Sequence, residues 1–230
     1  MASFASLDKR MGKDVNQIHD WLWNPGWKGD AERLLADLAR EARELDAYLG
    51  VHGKLRRHVE ALIKAAQGDR ERYGGTLYEL LYNLYNLTAA TERWRRKDYK
   101  AAGEHVAQVV ESDSIGTCAS LDSFPLVEEW ESGKIDFETY ASRLADLLQG
   151  KGIATAGQYK RVMLAARTFG KEWDGSAPKA QQALAARAAI EGAAWCTVAT
   201  RTIREAATGR PPTVPLKDYA AIIQGIVGRL

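Results

Sequence analysis

The chain has 230 residues, 46% of them apolar, enough to bury a sizeable core in one domain or two small lobes. No apolar run approaches the roughly 18–20 residues of a membrane span, and the opening MASFASLDKRMGKD lacks the apolar middle of a secretory signal, so a cytoplasmic chain with no membrane partner is expected. The formal charge is only +2, and the two cysteines, Cys118 and Cys196, lack CxxC spacing, which argues against a disulfide framework or a zinc site.

Every segment legible by period is helical, so the predicted fold is all-α: a multi-helix bundle of about eight to ten helices. Met11, Val15, Ile18 and Leu22 mark the first helix, stopped by Asn24-Pro25-Gly26. The tryptophans around that turn, Trp21, Trp23 and Trp27, either pack as a satellite core or receive a partner subunit. Asp30 caps a second helix with the stripe Leu34, Leu38, Leu45 and Leu49, closed by Gly50. A third helix runs from about Lys54 to Gln67 and opens with the basic group Lys54, Arg56 and Arg57.

Thr76 and Glu79 form a capping-box pattern that predicts the start of a fourth helix, apolar nearly all round and rich in Leu and Tyr. It ends in TERWRRKDYK, where Arg93, Arg95, Arg96 and Lys97 surround Trp94. Cations for a phosphate backbone and a ring for a base are the chemistry of single-stranded nucleic-acid binding; a tryptophan that closes the core while the arginines face water is the rival reading. Asp98 is the expected cap of the next helix. Residues 112–124, rich in Ser, Asp and Gly, are the expected linker between an N-terminal lobe (1–111) and a C-terminal lobe (125–210).

In the second lobe, Asp136 caps one helix, Thr155 and Gln158 open another, and a long Ala-rich helix runs from about Pro178 to Ala207. Pro211, Pro212 and Pro215 then impose an extended tether within 211–230. It leads to an amphipathic helix carrying Tyr219, Ile223 and Ile226, which either folds back on its own core or docks on a neighbour.

Charge is segregated along the chain. Lys54–Lys100 and Lys151–Arg210 are basic, whereas Glu111–Asp146 is acidic. Lys160 and Arg161 form a third basic group, and three such groups on separate helices predict a stripe for a polyanion if they align. No catalytic set is legible. His19, His52, His58 and His105 form no HExxH arrangement, no Gly-rich phosphate loop occurs, and the cluster Glu128, Glu129, Glu131 and Asp136 reads as a solvated acidic face; no metal, cofactor or catalytic residue is expected.

The run IATAGQYKRVMLAARTFGKEW, residues 153–173, resembles a helix of the small all-helical subunit of CRISPR effector complexes, on Thr155, Gln158, Lys160, Arg161 and Phe169. The resemblance implies a non-catalytic subunit in antiviral defence, present in several copies, that touches RNA through basic side chains. The expected function is therefore a helical subunit of a nucleoprotein complex, binding RNA or single-stranded nucleic acid and other protein subunits. The alternatives are a helix-pair protein–protein adaptor and an enzyme with an unusual helical carboxylate site.

Overall fold

The computed structural model describes residues 4–209 and 214–230, which form ten helices and no strand. They are α1 (Phe4–Trp23), α2 (Ala31–Leu49), α3 (Lys54–Gly68), α4 (Arg70–Arg95), α5 (Tyr99–Ser120), α6 (Phe124–Glu131), α7 (Phe137–Gly150), α8 (Ala156–Lys171), α9 (Lys179–Thr208) and α10 (Leu216–Val227). Antiparallel α4 and α5 form the centre with α8 and α9; α1 to α3 pack on the α4 side and α7 on α8. None of these helices is long and apolar enough to cross a membrane.

Short-range chemistry sets several helix ends. Asp30, Asp98 and Asp136 each accept a hydrogen bond from the backbone N–H three residues ahead, and Gly50 adopts φ 68° to close α2. α3 is capped from a distance. Its N-cap residue is Gly53, so the Asp46 carboxylate of α2 accepts instead from the N–H groups of Gly53 (2.7 Å) and Arg56 (3.2 Å).

Two expectations are corrected and one left open is decided. α4 does not begin at Thr76 and Glu79; Asp69 caps it by accepting from Arg72 N–H, and the helix runs through Gly74 and Gly75. A side chain at 74 would collide with Leu22, so the bare backbone there lets α1 lie close to α4. Residues 112–120 are the second half of α5 and not a linker. Their hydroxyls bond back to the helix itself, Ser114 to Glu111 O, Thr117 to Asp113 O and Ser120 to Gly116 O, so a composition typical of turns is accommodated within the helix. One continuous core therefore crosses the expected lobe boundary through α5, leaving only 121–123 as a turn. Finally, α10 packs on α9, α4, α2 and α3. Tyr219, Ile223 and Ile226 are buried there and offer nothing to a partner, because the i, i+4, i+7 stripe has found its apolar surface within the chain. Pro211 and Pro212 lie outside the described residues; Pro215 immediately precedes α10.

The centre of the bundle is polar at one level. Glu79 of α4 is buried and ion-paired with Arg204 and, at 3.6 Å, with Arg201, both from α9. Beside them Asp113 of α5 accepts from Asn83 Nδ2 (2.8 Å) and Thr197 Oγ1 (2.7 Å). Burial alone would push Glu79 up, but the two arginines outweigh it and hold it below the usual carboxylate range. Asp113 goes the other way, raised to about 8 by burial and then by the Glu79 charge. Glu41, completely buried on α2 beside Asp14 of α1, is likewise raised to about 8, by burial first and then by Asp14.

The close contact between α5 and α8 depends on glycine. A Cβ at Gly170 would overlap the Gly103 carbonyl, so the two backbones touch directly. Gly170→Ala is expected to destabilise the chain by about 1–3 kcal/mol, measured by urea unfolding, although alanine is the better helix former.

Stability should also respond to pH. Glu41 and Asp113 are held neutral in the folded chain but ionise from about pH 4 once unfolded, so their contribution is complete below about pH 4 and drains away as pH rises to about 8. Thermal melts from acid to pH 9 should show that decline, and Glu41→Gln and Asp113→Asn should each flatten it.

Candidate nucleic-acid interface

Two of the three basic groups meet at one end of the bundle. The Asp46 cap fixes the corner from α2 into α3 and with it the first turn of α3, where Arg56 and Arg57 are exposed and Lys54 half-buried. Arg229, just beyond α10, donates to the Tyr48 carbonyl of α2 (3.2 Å) and to Glu92 of α4 (3.4 Å), tying the ends of α2 and α4 together. The start of α3 and the turn from α4 into α5 thus share this end.

Within TERWRRKDYK the side chains divide. Arg93 pairs with Asp8 of α1 at 3.0 Å, and Arg95 pairs with Glu92 at 2.9 Å. Trp94 is half-buried and its indole N–H donates to the Ala183 carbonyl of α9 at 2.8 Å, so the ring closes the junction of α4 with α9. Arg96, Lys97 and Lys100 are exposed, with no carboxylate partner among the described residues, and Lys97 takes the left-handed φ of 62° that turns the chain into α5. Local pairing therefore removes two of the expected cations and leaves the others free.

Lys160 and Arg161 stand elsewhere. Their neighbour Tyr159 reaches Thr117 and Thr200, and Thr117 lies about 27 Å along α5 from its first residue at 1.5 Å per residue. They line a shallow cleft with Asp146 and Gln149 of α7 at the opposite end. The expected three-part stripe is two groups together and one apart.

The other predicted positions have structural partners. Asp136 caps α7 and Glu129 pairs with Arg143 at 2.5 Å. Trp21 is buried, with Arg70 over its ring, and Trp27 packs on the core. Trp23, however, is 53% exposed and packs edge-on to Tyr78 at 5.2 Å. Among the described residues no three His, Cys, Asp or Glu side chains converge as a metal centre.

A groove of about 480 Å³ between α1, α4 and α5 brings Arg93 and His105 together with Lys9, Lys13, Tyr82 and Tyr85, which sequence reasoning assigned to no site. Tyr82 and Tyr85 line one wall, Lys9 and Lys13 the other, and Arg93 and His105 complete it. Tyr85 donates to Asp8 Oδ1 (3.1 Å) while Arg93 holds Oδ2, so both oxygens of the one carboxylate lining the groove are occupied. Asn86 donates from its amide to the Tyr82 carbonyl, which leaves its oxygen to accept from His105 Nδ1 at 2.8 Å. Burial lowers the His105 pKa, so the neutral ring keeps Nε2 as an acceptor. The signal in the sequence was Tyr78, Tyr82 and Tyr85 at i, i+4 and i+7, a polar-edged stripe beside the leucines. These tyrosines are half-buried and form an outer face, where the sequence suggested a helix buried all round.

No protein family matches the chain, and neither a curated protein nor a solved structure shows significant similarity to it.

The division of labour among the arginines is measurable. Arg93→Gln, which removes the cation paired with the half-buried Asp8 and leaves it only the Tyr85 hydroxyl, should lower stability by about 1–2 kcal/mol in urea unfolding. Arg96→Gln should stay within about 0.5 kcal/mol of the parent.

Proposed function

We propose that the chain is a non-catalytic helical subunit of a nucleoprotein assembly that contacts RNA or single-stranded nucleic acid through the cations of one bundle end. The observation that carries this reading is the set Arg56, Arg57, Arg96, Lys97 and Lys100. These five side chains come from the first turn of α3, the turn after α4 and the first turns of α5, and all are exposed without a carboxylate partner among the described residues. Cations that are not neutralised locally keep their field in water out to a Debye length of about 8 Å, which suits the spaced charges of a nucleic-acid backbone. Arg93 and Trp94 belong to the framework beneath this surface, and Arg95, although exposed, is paired with Glu92. The resemblance of residues 153–173 to the small subunit of CRISPR effector complexes agrees with the ligand class and extends the proposal to assembly in several copies, with Lys160 and Arg161 as a separate contact.

Mobility shifts with a single-stranded RNA at about 50 and about 200 mM salt test the reading. Each phosphate contact contributes about 0.7 to the slope of log K against log salt, so combining Arg56→Gln, Arg57→Gln, Arg96→Gln and Lys97→Gln should reduce that slope by about 3. The pair Lys160→Gln and Arg161→Gln should leave this end's contribution intact. Binding and slope unchanged in the fourfold variant overturn the proposal.

A further inference from the structure

We infer that the groove between α1, α4 and α5 is a binding site for a single nucleotide, with the phosphoryl group held by Lys9 and Lys13 and the base laid against Tyr82. This goes beyond the bundle-end reading and does not depend on it, since none of these three residues is in that set.

Charge comes first. Lys9 and Lys13 stand one turn apart on α1, both exposed, and neither has a carboxylate partner among the described residues. Like charges at i, i+4 oppose each other and disfavour the helix, so the pair is an uncompensated local cost within the protein and a pair of donors for an oxyanion. Among the described residues the groove has one lining carboxylate, Asp8, already spent on Arg93 and Tyr85, which leaves the lining cationic overall.

The aromatic wall is the second observation. Tyr82 stacks at a tilt on Tyr78 (5.3 Å between centroids), and Tyr78 meets Trp23 and His19 at 5.2 and 5.6 Å, so the ring surface continues out of the groove along α4. A flat aromatic ligand gains from such a platform whatever its sequence. Gly12 opens the space: a Cβ there would lie 2.6 Å from the Tyr85 hydroxyl, so only the bare backbone lets Tyr85 reach Asp8 beneath α1. The volume of about 480 Å³ is within the range of small-molecule sites, and His105 Nε2 is an acceptor suited to a ribose hydroxyl. Cations on one wall, rings on the other and a half-buried histidine acceptor in the lining match the three parts of a nucleotide.

The test is calorimetric titration of the full chain with AMP, with adenosine and inorganic phosphate as separate probes. AMP is expected to bind more tightly than either fragment. Combining Lys9→Gln with Lys13→Gln should weaken AMP to the level of adenosine, and Tyr82→Leu should weaken AMP about ten-fold, the size of a base–aromatic contact, while leaving phosphate unchanged. The lysine substitutions are at exposed positions, so their melting temperature, checked by circular dichroism, should match the parent. A tetranucleotide carrying a 5′-phosphate, compared with AMP, separates a strand end from a free nucleotide as the source of the ligand. No heat with AMP, or AMP binding undiminished by the lysine substitutions, overturns the site; the salt-dependent RNA shifts of the bundle end are read independently of either result.

Discussion

The ion pairs buried between α4 and α9 are the constraint on which the rest of the bundle depends. Glu79 can be ionised in the interior only because Arg201 and Arg204 reach it, and the arginines can be there only because Glu79 does. Such a cluster adds little net stability compared with well-packed apolar side chains, but a slip of one helix along another would strand a buried charge and cost several kcal/mol. It therefore acts on register. Asp113, tied to Asn83 and Thr197, extends the same requirement to α5.

Register at the centre determines what appears at the ends. With α4 and α9 antiparallel and matched at Glu79, the other end of α4 brings Trp94 to the Ala183 carbonyl, and the indole N–H is satisfied without water. The turn after α4 then projects Arg96 and Lys97 outward. Direct contact between Gly103 and Gly170 fixes α8 against α5 in the same way, and an antiparallel α8 carries Lys160 and Arg161 to the far end. The separation of the basic groups is thus a consequence of helix direction, which composition along the chain does not reveal.

Much of the fold was legible because it is written in short-range chemistry. The leucine stripes, the aspartate caps at 30, 98 and 136 and the glycine stop at 50 depend on neighbours within one or two turns. The errors arose where the same residue types serve two purposes. Serine, threonine and aspartate mark turns when their side chains bond forward to free N–H groups, yet in α5 the serine and threonine hydroxyls bond back to carbonyls, Asp113 accepts from α4 and α9, and the helix continues. Glu79, three residues after a threonine, carries the pattern of a cap but meets its partners more than a hundred residues later. The site residues were harder still. That Arg93 and Arg95 are neutralised, and that Asp8, Tyr85 and His105 come together, depends on pairs up to 85 residues apart, for which no local spacing exists. The tyrosine stripe of α4 was visible but ambiguous, since a phenol ring suits a core and a surface equally well.

Asp8 links the two surfaces on which the functional readings rest. Its carboxylate joins α1 to α4 through Arg93 at the bundle end and through Tyr85 inside the groove, so one side chain holds the last turn of α4 and the floor of the groove in a single arrangement. An anion entering between Lys9 and Lys13 would also attract Arg93, and Arg93 cannot turn toward it without loosening its hold on Asp8. The turn that carries Arg96 and Lys97 follows directly from Arg93, whose carbonyl accepts from both Arg96 N–H (3.1 Å) and Asp98 N–H (3.0 Å). One ion pair and one helix turn thus connect the lining of the groove to the turn that carries the bundle-end cations.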